Sequence, residues 1–147
     1  IMQCISEPDR LFMHGFTYSG HPVACAVGLR NIAILEDENL AANAAARGKQ
    51  LEQDLAPLLQ HPHVGIVRVK GLMARVDVVS DKASRQKFTP DREMGYSIQA
   101  ATRSRGLIVR ASDEGITVSP PLSISAAETD TMINIIGEAL YEVLPSS

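Results

Sequence analysis

The chain has 147 residues, of which 45% are hydrophobic and 21% charged, with a formal net charge of −3 and no tryptophan. These values exclude a disordered polymer, a collagen-like repeat and a membrane-dominated chain, and the acidic balance lacks the basic stripe of a nucleic-acid-binding domain. No apolar run reaches the roughly 20 residues needed to span a bilayer.

The length suits one domain or a piece of a longer protein. The chain opens Ile1-Met2-Gln3, without an initiator methionine and without a charged-then-apolar leader, so it is expected to start inside a longer protein. Residues 1–20 lack a clear period and contain Pro8, Gly15 and Gly20, which reads as a loop. Pro22 suits the first turn of a helix, where its missing N–H would be unpaired anyway. The apolar residues from Val23 to Leu35 cover most of that helix's circumference, so it should be buried or lie between two partners. Glu36-Asp37-Glu38-Asn39 interrupts it, and by the helix dipole these acids belong to the start of the next helix.

Leu40, Ala44, Leu51, Leu55 and Leu58 recur at helical spacing and predict a second helix over 40–60, closed by Pro62. Residues 64–70 and 72–79 partly alternate apolar with charged side chains and predict two strands or one long bent strand, with Gly71 at a turn or bulge. A third helix is expected from Thr89-Pro90-Asp91 to Arg105, ended by Gly106 in the left-handed conformation. Residues 107–111 and 116–119 predict short strands joined by a hairpin turn over 112–115, and Pro120-Pro121 halts their pairing. Ser125 and Glu128 form a capping box ahead of a last helix with Met132, Ile135, Ile136, Ala139, Leu140 and Val143 inward. The order predicts an α+β fold, a small, largely antiparallel sheet packed by helices.

Few residues invite chemistry. The histidines His14, His21, His61 and His63 have no convergent metal-ligand spacing, so no metal site is expected. No GxSxG nucleophile elbow occurs. Cys4 and Cys25 form neither a CxxC motif nor a disulfide framework and are expected to be reduced, partly buried thiols in a cytoplasmic protein. Thr17 stands in a glycine-flanked loop before a helix start, a place either to hold an anion or simply to cap the helix. Arg110 stands in an apolar strand beside a hairpin. With Leu107 and Val109 inward, it shares the opposite face with Ile108. That face is either open to solvent or presents a guanidinium on a rigid element to a carboxylate. Nothing local makes Lys70 a desolvated amine, so it is read as structural.

Three segments carry a resemblance. His14 to Ala26, reading HGFTYSGHPVACA, resembles a segment of the class III pyridoxal-phosphate aminotransferases, the ω-aminotransferase group. Val67 to Ala74 looks like that family's strand-turn-strand, and Gly106 to Ala111 followed by Ser119-Pro120-Pro121-Leu122 looks like its GLIxR and PPL end. The order is kept over almost the whole chain.

The resemblance implies the C-terminal part of a fold-type-I dimer that uses pyridoxal 5′-phosphate. Residues 1–20 would be the tail of the large cofactor-binding domain, 21–40 a connecting helix and 41–147 the C-terminal small domain. Thr17 would bind the cofactor phosphate of the neighbouring subunit, and Arg110 the substrate carboxylate. The parent would move an amino group between an amine or ω-amino acid and a keto acid such as pyruvate. The family's Schiff-base lysine does not occur in the chain, so residues 1–147 alone carry no catalytic residue and are expected to be inert. Three departures stand out: the hairpin 112–115, Lys70 in place of a glycine, and Arg75 in place of a small residue. The alternative is a non-enzymatic α+β binding or assembly module, against which the all-round apolar first helix argues.

Overall fold

The structure, a computed structural model, describes residues 15–89 and 92–145. Cys4 and His14, and the expected helix start at Pro90-Asp91, lie outside the described residues. The chain divides into two compact units, with the boundary between Glu38 and Asn39.

In the first unit, helix α1 runs Pro22–Asp37. Pro22 occupies the first turn, and His21 caps it by accepting the Ala24 N–H on Nδ1 at 3.4 Å. The acidic run falls differently from expectation. Glu36 and Asp37 end α1 rather than opening the next helix, and Asp37 takes an ion pair from Arg30 at 3.4 Å. That partner, two turns back on the same helix face, gives Asp37 a compensating positive charge at this end.

The second unit begins with Asn39 in the left-handed conformation and helix α2, Leu40–Leu55. The expected helix to residue 60 is shorter by one turn. Pro57 cannot donate an i−4 bond and crowds the preceding turn, so the chain tightens into a 3-10 helix, Ala56–Gln60. Strands β1, Val64–Lys70, and β2, Met73–Val78, follow, with Gly71 at φ +54 in the turn between them. Helix α3 spans Met94–Ser104, starting later than the sequence suggests, behind Glu93 at φ +44. Gly106, at φ +89, follows its end as expected.

Strand β3 is Arg110–Ser112, β4 is Gly115–Val118 and helix α4 is Ala126–Val143. The strand expected from Leu107 pairs only from Arg110. Arg110 lies opposite Thr117, so continuing the ladder backwards would set Leu107 against Pro120, which has no N–H to give. The inward–outward alternation survives the lost pairing: Val109 is buried and Ile108 is 80% exposed.

The sheet order is β1-β2-β4-β3, antiparallel throughout. One face is covered by the helices. Ala74, Val76, Val78, Ile116 and Val118 meet Leu51 and Leu55 of α2, Ile98 of α3, and Met132, Ile136 and Leu140 of α4 in a single core. The fold is therefore α+β, as the element order implies. The capping box closes α4: the Glu128 N–H donates to Ser125 Oγ at 3.2 Å, and the Ser125 N–H donates to Glu128 Oε2 at 2.8 Å. Donation to the Glu128 carboxylate from the Ser125 N–H first, and from the Ser125 hydroxyl at 2.7 Å second, holds that carboxyl below its ordinary range. Among the described residues, no helix is long and apolar enough to cross a membrane.

Candidate functional site

Two places carry the candidate residues, one in each unit. In the first, residues 17–20 turn tightly ahead of α1. Ser19 N–H donates to the Phe16 carbonyl at 2.9 Å and His21 N–H to the Tyr18 carbonyl at 3.1 Å, and Gly20 sits at φ +72. The turn exposes the Thr17 hydroxyl, which has no hydrogen-bond partner among the described residues. Phe16 and Tyr18 beside it are 69% and 75% exposed. His21, not Thr17, does the capping, so the hydroxyl is not consumed by the helix. An exposed hydroxyl in a glycine-closed turn before a helix N-terminus can donate to an anionic oxygen.

In the second unit, the site is the sheet face away from the core. The register sets Arg68 opposite Arg75, Arg75 opposite Thr117, and Thr117 opposite Arg110, a single row across all four strands. The alternation that sends Val76, Ile116 and Val118 inward sends this row outward. Like charges set side by side need compensation, and Asp77 supplies it. Its Oδ1 accepts from Arg75 Nε and its Oδ2 from an Arg68 terminal nitrogen, both at 2.6 Å. Arg75 reaches further, donating to Thr117 Oγ1 at 3.2 Å and to Ser112 Oγ at 2.9 Å. At the rim, Lys87 pairs with Glu114. That pairing, with Arg75 and Arg68 behind it, lowers the Glu114 carboxyl below its usual range.

Arg110 alone on this row has neither carboxylate nor hydroxyl partner among the described residues, and it is exposed. Its strand is held firmly. The hairpin over 112–115 lies so close to α3 that a Cβ on Gly95 would overlap the Ser112 carbonyl oxygen and come within 2.6 Å of that of Gly115. Gly115 itself, at φ +152, lies against the Val76 carbonyl on β2. The result is a fixed cation on a rigid element, suited to a bidentate carboxylate.

The remaining candidates resolve plainly by position. Lys70 is exposed at the end of β1, opposite Met73. Cys25 is exposed rather than partly buried, because α1 buries none of its residues within the described chain. His61 and His63 pack as rings 5.9 Å apart, with His61 edge-on to Tyr141 at 5.1 Å and His63 beside Phe88 at 5.4 Å. The His63 N–H donates to His61 Nδ1 at 3.1 Å. Burial first, then the nearby His63 and Lys82 charges, lower the His61 pKa from its ordinary value. Among the described residues, no group of three or more His, Cys, Asp or Glu is placed to hold a metal ion.

The sequence left two contributors unnamed. Gly95 gives no signal in a helix pattern. The clamp of Arg75 on Asp77, Thr117 and Ser112 depends on a strand register that spacing alone does not fix.

The two units thus each present one candidate binding group, the exposed Arg110 guanidinium on the open sheet face and the exposed Thr17 hydroxyl in its turn. Similarity to known proteins gives the family. The sequence pattern described as aminotransferase class-III matches residues 1–140. The diaminobutyrate–2-oxoglutarate transaminase of Halomonas elongata is 42% identical over 133 residues, 88% of this chain and 28% of that protein. A thermostable (S)-enantioselective omega-transaminase from Thermomicrobium roseum superposes with a TM-score of 0.90 at 54% identity, covering 98% of this chain and 32% of that one. An amine transaminase from an uncultivated Pseudomonas species, solved in its PLP-bound form, gives 0.84 at 41% identity over 90% of this chain and 30% of that one. The chain belongs to the class III aminotransferase family. It spans between a quarter and a third of the length of these relatives.

Proposed function

We propose that this chain is the substrate-reading C-terminal part of a pyridoxal-phosphate-dependent aminotransferase. Residues 41–147 act as its small domain, 21–40 as the connecting helix and 1–20 as the tail of the large domain. The whole protein transfers an amino group between an amine or ω-amino acid and a keto acid such as pyruvate. The observation that carries the reading is Arg110, an exposed guanidinium without a counter-charge among the described residues, on a strand pinned by Gly95 and Gly115.

The cofactor fits the first unit's turn. Thr17 offers an exposed hydroxyl that the helix does not use, and a phosphate oxygen is a matching acceptor. Pyridoxal phosphate, when bound, supplies the electron sink that lets an amino group leave one carbon and join another. The chain's own residues bind and orient. Arg110 forks onto the substrate's carboxylate and sets the distance from that end to its amino group. Thr17 holds the phosphate end of the cofactor, from one subunit to its neighbour in a homodimer. The exposed apolar side chains Val23, Val27, Leu29 and Ile32 of α1 support an assembly that covers them.

In the whole protein, Arg110→Ala should raise KM for an ω-amino carboxylate by about tenfold to a hundredfold, the worth of a charged hydrogen-bonded pair, and far less for a plain amine. Equal changes for both substrates would remove Arg110 from the site. Residues 1–147 by themselves should turn over no amine, and borohydride should fix no cofactor on Lys70. A stoichiometric Lys70 adduct would contradict the assignment.

A further inference from the structure

We infer that Arg75 is a positioning residue that keeps Arg110 available, by holding Asp77, Thr117 and Ser112 away from it. The inference rests on the reading of Arg110 as the carboxylate arm.

The open sheet face carries Arg68, Lys70, Arg75 and Arg110 and a single strand carboxylate, Asp77. Asp77 stands one row along from Arg110, in register with Gly115 and through it with Ser112. Two strands across and two residues along is about 12 Å between backbones, which an extended arginine and an aspartate can span together. Left to itself, Arg110 would be drawn to this carboxylate. A captured guanidinium would have to break that pair before it could take a substrate.

Arg75 prevents this through three bonds at once. Its Nε–H occupies Asp77 Oδ1 at 2.6 Å, while Arg68 occupies Oδ2. Its two terminal nitrogens occupy Thr117 Oγ1, directly opposite Arg110, and Ser112 Oγ, the next outward residue on the strand of Arg110. Among the described residues, each polar strand side chain of the face that could accept from Arg110 is thereby already engaged by another arginine. The clamp itself is well sheltered: the Asp77 side chain is 14% exposed and that of Arg75 27%. Arg75 also adds a fixed positive charge that repels the Arg110 guanidinium from the sheet towards the open side. A lysine could keep the ion pair with Asp77 but not the planar fork over both hydroxyls.

The test uses the whole protein and two probe substrates of equal length, 4-aminobutanoate and butylamine, with binding of butanoate as a readout separate from turnover. Arg75→Met should raise KM for 4-aminobutanoate about fivefold more than for butylamine, the scale of one surface ion pair captured by Arg110, and weaken butanoate binding alike. Arg75→Met combined with Asp77→Asn should restore both values towards the parent, because the competing carboxylate is gone. Arg75→Lys should fall between the parent and Arg75→Met, and it reports even where Arg75→Met fails to fold. A merely structural role would give losses that Asp77→Asn deepens rather than repairs, and that result overturns the inference. So does an unchanged substrate split in Arg75→Met or Arg75→Lys while Arg110→Ala still separates the two substrates. If Arg110→Ala itself affects both substrates equally, the reading of Arg110 fails, and the inference with it.

Discussion

The two units bury their apolar residues very differently. Helix α1 of the first unit is rich in Val, Leu and Ile, yet none of its residues is buried, and Val27 and Leu29 are 65% and 69% exposed. The second unit closes a core in which Leu51, Leu55, Ile98, Ile116, Ile136 and Leu140 are almost wholly removed from water. Similar side chains thus perform different work. In the second unit they satisfy one another and hold a rigid sheet. In the first they form a surface whose cover the described residues do not provide. The candidate residues follow the same division: Arg110 sits on the unit that closes its own core, and Thr17 on the unit whose apolar helix stays exposed among the described residues.

Substitutions can break or sharpen that contrast. The largest effect is expected in the core. Ile136→Ala should cost about 2–5 kcal/mol in urea unfolding of the chain, whereas Val27→Ala should stay within about 0.5 kcal/mol. Comparable losses would mean that α1 is packed after all. Glycines give the next largest difference. Gly95→Ala must push the hairpin off α3 and should cost about 1–3 kcal/mol, while Gly28→Ala meets nothing within 4 Å and should gain about 0.5–1 kcal/mol from helix propensity. Ser125→Ala should lose about 1 kcal/mol with the capping box, read from the thermal midpoint.

The smallest effect is a pH slope. The fold lowers the His61 pKa, so below the ordinary value of 6.5 the unfolded chain binds the proton first. Stability should be full above about pH 6.5 and decline as pH falls towards the lowered folded value. His61→Phe should flatten that decline, whatever it does to absolute stability. An unchanged slope would show that burial of His61 is not its source.

Much of the second unit is legible in the sequence. Period-2 alternation places Arg75 and Asp77 outward and Val76 and Val78 inward, and Ser125 with Glu128 announces the last helix. Arg110 is legible as an outward residue even though its strand is shorter than its apolar run, because the prolines that truncate the ladder leave the alternation intact. What the sequence does not disclose depends on long-range register and close approach. The row from Arg68 to Arg110 needs four strands in a particular alignment, and Gly95 matters only because a hairpin further along the chain presses on it. The acidic run 36–38 is legible as an interruption but not as the end of α1, since the dipole preference is weaker than the helix's own continuation and its Arg30 pair.

The proposed roles of Thr17 and Arg110 have one direct test in the whole protein. Pyridoxal phosphate dissociation and the KM ratio for an ω-amino carboxylate over a plain amine are measured in Thr17→Ala and Arg110→Ala. The account predicts a crossed result: Thr17→Ala weakens cofactor binding by about tenfold with the ratio unchanged, and Arg110→Ala raises the ratio with cofactor binding unchanged. Both variants moving both quantities together would contradict it.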